Sequence, residues 1–162
     1  MPPGPGRWPE PVERVAAVLR ADGTDARLEE FLEGTPTAAA AAEAVGCALG
    51  QIVKSLLFVC DGRPLLALVP GDPRADAAKV AAAAGARMAR VGTREEVLAA
   101  TGFEPGAVAP FPAPAVSKVL LAQELLLHEL VWIGAGSTRH MAGLAPVDLV
   151  RLTQAVTADL SE

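Results

Sequence analysis

The chain has 162 residues, 51% of them hydrophobic and 20% charged, which fits one compact domain around a single sizeable core and no second domain. Its net charge of −5 argues against a protein that wraps DNA or a long RNA, because such binding rests on phosphate neutralisation, and leaves open contact with one end of an RNA. Tyrosine is absent and aromatics make up only 4%, so a stacking platform for single strands is not expected and packing must rest on Leu, Val and Ala.

Residues 1–8 are rich in proline and glycine and read as a loose tail, leaving residues 9–162 as the single domain. No apolar segment reaches the roughly 18 residues of a membrane span, and Met1–Arg7 lacks a signal-peptide core. A cytoplasmic protein is expected, with no membrane partner. Cys47 and Cys60 both lie in or beside apolar segments, where a free thiol behaves as a small hydrophobe, so reduced cysteines are expected.

In chain order, Val12, Val15, Val18 and Leu19 recur at helical spacing and predict a helix over Pro11–Leu19. Ala26–Leu32 reads equally as helix or strand. The alanine-rich stretch Thr37–Val45, stopped by Gly46, predicts a helix. Gln51–Cys60 and Arg63–Val69 have strand composition and are joined by Asp61-Gly62, the strongest short hairpin signal. Gly71-Asp72-Pro73 combines an aspartate cap with proline at the first helical position and predicts a helix running to Gly85.

A short strand is expected at Arg87–Val91. Thr93 and Glu96 form a capping box that opens a helix to about Ala100, with Gly102 as its stop. Pro105–Ser117 carries no charge, and its prolines stiffen it into a loop. Val119–Ala122 and Leu130–Ile133 read as strands, Gly134-Ala135-Gly136-Ser137 as a small-residue turn, and Pro146 as the start of a last helix ending near Val156. Irregular alternation with at least one hairpin predicts an α/β (α+β) domain: a mixed, largely antiparallel sheet or barrel with packed helices.

Two histidines, His128 and His140, lie outside any nucleophile motif, and no G-x-S-x-G is present, so a catalytic triad is not expected. Histidine and cysteine spacings match no zinc site, so no metal is expected. Lys54 stands out as the one charge in the apolar run Ile52–Cys60. An ammonium there costs free energy unless something pairs with it. Spacing alone leaves two readings open: a lysine snorkelling at a sheet edge, or one held for a ligand. Gly106-Ala107-Val108-Ala109-Pro110 is either a rigid surface turn or an uncharged loop whose free amides face a ligand.

Taken in order, Gly50–Leu56, Pro70–Asp76, Thr101–Gly106 with Pro110, and Gly136-Ser137 resemble the YbaK/prolyl-tRNA-editing family, free-standing relatives of the editing domain of bacterial prolyl-tRNA synthetase. The resemblance spans about Ala26–Leu160. It implies a barrel-like mixed sheet surrounded by helices, no cofactor, and hydrolysis of the ester joining a wrongly attached small amino acid (Cys, Ala, Ser or Thr) to tRNA(Pro) or a similar tRNA.

The family's lysine matches Lys54, and its G-x-x-x-P loop matches Gly106 and Pro110, which gives these three residues the catalytic role. Ser55, Ala107, Val108, Ala109, Phe111, Gly136 and Ser137 would contact substrate, and Lys118, Arg139 and His140 the tRNA acceptor end. Many relatives have a second glycine where this chain has Ala107, and an aspartate where it has Ala122. A binding module that kept the fold and lost catalysis is therefore the alternative, and a Schiff-base role for Lys54 ranks below both. A prolyl-tRNA synthetase is a possible partner, and the oligomeric state stays open.

Overall fold

The computed structural model describes residues 8–162. All but the last residue of the expected tail lies outside the described residues. Trp8 itself packs its ring edge-on against His140, with centroids 5.4 Å apart.

Helix α1, Glu10–Asp22, buries Val12, Val15, Ala16 and Leu19 along one stripe and ends on Gly23 in the left-handed region. The ambiguous segment resolves as strand β1, Arg27–Glu30. Thr37 caps α2, Ala38–Val45, by accepting from the Ala40 N–H, and Gly46 stops it. Strands β2, Ile52–Cys60, and β3, Arg63–Pro70, form the predicted hairpin. Asp61 and Gly62 both take positive φ, 50° and 83°, which a tight turn with the strands' own twist demands.

The next helix starts later than the sequence suggests. Helix α3 covers Ala77–Ala84, and its cap is Asp76, whose carboxylate accepts from the N–H groups of Ala78 and Lys79. The Asp72–Pro73 segment is not helical because residues 74–76 are drawn against the chain end: Asp76 N–H donates to Leu160 O, and Glu162 N–H to Arg74 O. Strand β4, Ala89–Val91, and helix α4, Arg94–Thr101, follow as expected, with the Thr93/Glu96 capping box formed in both directions.

Strand β5 is Val119–Ala122 and strand β6 is Val131–Ser137. The small residues 134–137 are thus strand, not turn. The turn is Thr138-Arg139, and it leads into β7, His140–Leu144, which the sequence pattern had not revealed. Small residues are needed here because other chain segments lie against the strand. A Cβ on Gly136, whose φ is +99°, would stand 2.6 Å from the Pro11 carbonyl oxygen of α1, and one on Gly134 would stand 3.1 Å from the Val108 carbonyl oxygen. Helix α5, Pro146–Thr153, ends on Gln154 with φ 54°, and a last short strand, β8, Val156–Ala158, takes up residues assigned to the helix end.

Among the described residues, eight strands form one mixed sheet in the order β1-β7-β6-β2-β3-β5-β8, with β4 also joined to β2. The β1–β7, β6–β7, β2–β3 and β2–β4 pairs are antiparallel; β2–β6, β3–β5 and β5–β8 are parallel. The main core lies between this sheet and the helices, centred on Leu19, Leu66, Leu68, Leu120, Leu121, Ile133 and Leu149, all fully buried. Each such side chain contributes about 1.5–3 kcal/mol by leaving water.

Strand β2 is the hub. One edge pairs with β3 from Val53 to Cys60. The other pairs with β6 only at Ile52 and Val53, and with β4 only at Phe58–Cys60. Between them, Lys54–Leu57 has no strand partner on that side, although Leu57 O accepts the Gly92 N–H just beyond β4 at 2.8 Å.

Candidate active site

A cleft of about 310 Å³ opens where β2 and β6 part. Lys54, Ser55 and Leu56 come from β2, Gly106, Ala107 and Val108 from the proline-rich loop, and Gly134, Ser137 and His140 from the β6–β7 hairpin. Thr35 and Thr37 form a lip from the segment before α2. That lip is stitched to the hairpin turn: Thr35 N–H donates to Thr138 O at 2.6 Å and Phe31 N–H to Arg139 O at 2.7 Å.

Lys54 is partly buried on the cleft wall, and its ammonium has no hydrogen bond or ion pair within the described residues. Beside it, the hydroxyl oxygen of Ser55 is buried without a partner. Polar atoms desolvated and left unpaired are costly unless a ligand or water completes them. Across the cleft, Gly106 holds φ +86° and turns the loop so that Ala107 N–H closes onto Glu104 O at 2.9 Å. The N–H groups of Gly106, Val108 and Ala109 have no protein acceptor among the described residues.

The loop is anchored from below. Ala109, Pro110 and Phe111 are buried in the core and do not line the cleft, and Gly136 lies under α1. Lys118 is exposed at the far end of the β2–β3 hairpin, in a separate depression with Asp61 and Arg63. Arg139 is exposed at the β6–β7 turn, beside the cleft mouth. Ala122 is fully buried on β5, away from the cleft. Among the described residues, no group of three or more His, Cys, Asp or Glu is placed to hold a metal ion.

His140 was expected only as a tRNA contact at the surface, but it is buried, 4% exposed, and forms part of the cleft wall. Its Nδ1 lies 2.6 Å from Ser137 Oγ, which also accepts the Arg139 N–H at 3.0 Å. Its Nε2 faces Glu30 Oε2 at 4.0 Å. Burial holds the imidazole below its ordinary pKa; Glu30 opposes that shift, and Arg139 adds to it. A readable signal existed: Ser137 and His140 face each other across a two-residue turn, so a Ser-x-x-His in a hairpin places both side chains on one face.

The fold and this cleft define a class. The family described as "Aminoacyl-tRNA editing domain" matches residues 33–152, and the chain belongs to that family. It is similar to the crystal structure of a candidate trans-editing enzyme for prolyl tRNA synthetase, with a TM-score of 0.88, 36% identity, and coverage of 96% of this chain and 99% of that one. It is 27% identical over 126 residues, 77% of each chain, to a candidate Cys-tRNA(Pro)/Cys-tRNA(Cys) deacylase, EbsC, of Enterococcus faecalis. It is also 35% identical over 107 residues to a proline–tRNA ligase of Nitratidesulfovibrio vulgaris, a match covering 66% of this chain and 18% of the ligase. Among the described residues no helix is long and apolar enough to cross a membrane.

Proposed function

We propose that the protein is a trans-editing deacylase that clears a wrongly attached small amino acid from the 3′ end of tRNA(Pro) or a similar tRNA. The observation that carries this reading is the unpaired Lys54 ammonium facing a loop with free amides across one small cleft. An ester is already activated, so its hydrolysis needs positioning and stabilisation of the developing oxyanion more than a strong protein nucleophile. In this reading Lys54 holds the terminal phosphate or the ester carbonyl as a point charge. The free amides of Gly106 and Val108 take the oxyanion, with the buried Pro110 fixing the loop.

A cleft of about 310 Å³ is at the small end of ligand sites. In this reading it takes an aminoacyl group of alanine, cysteine, serine or threonine, selects by size at the cleft wall, and distinguishes poorly among the small ones. Arg139 at the mouth is placed to meet the acceptor end, while Lys118, at the far end of the hairpin, is not. The few exposed cations near the cleft agree with recognition of an RNA end, not of DNA. In this reading the protein acts on charged tRNA in the cytoplasm, and a prolyl-tRNA synthetase would supply the mischarged substrate.

The test is to incubate the protein with tRNA(Pro) charged separately with Ala, Cys, Ser and Thr and to follow loss of the ester. At least one ester is expected to be cleared well above the buffer rate. Binding of charged tRNA without clearance of any ester would replace the deacylase with a binding module of the same fold.

A further inference from the structure

Neither the Lys54 ammonium nor the loop amides can accept a proton from the group that attacks the ester. The β6–β7 hairpin supplies groups that can. Ser137 Oγ already accepts the Arg139 N–H, so its own hydrogen is free to point to His140 Nδ1, 2.6 Å away. We assign the imidazole hydrogen to Nε2, which faces the Glu30 carboxylate at 4.0 Å. Glu30 is held there by the sheet, since it pairs directly with His140 in the β1–β7 ladder. Hydroxyl, base and carboxylate thus stand in sequence, with the first two on the wall of the cleft that holds Lys54.

We propose that Ser137 and His140 form a proton relay for ester hydrolysis, with Glu30 as the positioning residue that orients the imidazole and balances its charge. As water attacks the carbonyl carbon, its proton passes to Ser137 Oγ while the Ser137 proton passes to His140 Nδ1. The new carbon–oxygen bond forms, the ester bond to the ribose oxygen breaks, and the proton returns through Ser137 to that oxygen. No covalent enzyme intermediate is formed. The relay rests on the deacylase reading above.

Burial holds His140 below its ordinary pKa and so favours the neutral imidazole that a base requires; Glu30 opposes that shift and Arg139 adds to it. Activity should therefore fall as pH drops through a value below the ordinary histidine range. The experiment measures single-turnover rates against pH on whichever of the four charged tRNA(Pro) esters is cleared fastest.

Glu30→Gln keeps the shape of an exposed side chain and removes its charge. Since Glu30 favours the imidazolium, its loss should move the acid limb to lower pH and slow the plateau severalfold, with Glu30→Asp restoring part of both. Ser137→Ala should slow the plateau by about a hundredfold, and Ser137→Thr should recover part of it. Circular dichroism melts of each variant separate loss of fold from loss of relay, and the conservative Glu30→Gln keeps the test valid if changes at Ser137 unfold the hairpin. An acid limb unmoved by Glu30→Gln in an active enzyme, or an acyl adduct on Ser137 in quenched mass spectra, overturns the relay alone. Failure of the wild type on all four esters overturns the deacylase and the relay together.

Discussion

Two lysines sit at opposite fates in this molecule. Lys79 on α3 reaches across to the chain end, where its ammonium donates to Ser161 O at 2.7 Å and pairs with Asp159 at 3.0 Å. Lys54 on β2, partly buried like Lys79, meets no acceptor among the described residues. A cation that the protein itself satisfies is a fastener. One that it partly buries and leaves open gains its pair only when something else arrives.

The contrast is broken most directly at Lys54. Lys54→Ala should lower kcat/KM for the cleared ester by about one to two orders of magnitude, the worth of a charged hydrogen bond of about 1.5–3 kcal/mol. Its Tm should hold or rise, because no internal pair is lost; a variant with full activity would return Lys54 to the status of a snorkelling surface residue. Lys79→Ala should do the reverse. Its pair is more than a third exposed and screened by solvent, so about 1 kcal/mol of stability and a Tm lower by about 2–4 °C are expected with deacylation unchanged.

The smallest effect tests a fastener through pH. Arg90 grips Glu96 with both guanidinium nitrogens, at 2.7 and 2.9 Å, and together with the Thr93 N–H holds the Glu96 carboxyl down at about 2. A carboxylate held below its unfolded value stabilises the fold above pH 4.5 and loses that contribution as pH falls toward about 2. The Tm difference between wild type and Glu96→Gln should thus be small, constant near neutrality, and shrink on acidification below pH 4.5. A difference that grows with acid would contradict the pairing.

Much of the fold was legible because its signals are local. Asp61-Gly62 announced the hairpin, the alanine run and the Thr93/Glu96 box their helices, and Gly46 and Gly102 the stops, each a signal within a few residues. Strands β7 and β8 were not legible. His140–Leu144 is buried at every position, so it shows no alternation, and β8 has three residues and one parallel partner. The Gly134–Ser137 error has the same origin: the need for small residues comes from α1 and the Val108 carbonyl, both remote in sequence.

The site divides in the same way. Lys54 stood out as a charge against an apolar background, and the Gly106 loop by its prolines. The place of His140 depends on a hairpin turn that was read one step too early, and Glu30 reaches it only through the β1–β7 register. Ala109, Pro110 and Phe111 were drawn into the site with their loop, yet burial is what they supply to it.

The stretch Lys54–Leu57 of β2, left without a strand partner between β6 and β4, makes the cleft a notch cut into a sheet, not a gap between flexible loops. A notch keeps its shape when empty, because the ladders on either side and the full-length pairing with β3 act as its frame. New preferences can then be acquired by recarving the lip at Thr35–Thr37 or the roof at Gly106–Val108. The floor, built from backbone pairing, stays out of reach of side-chain drift.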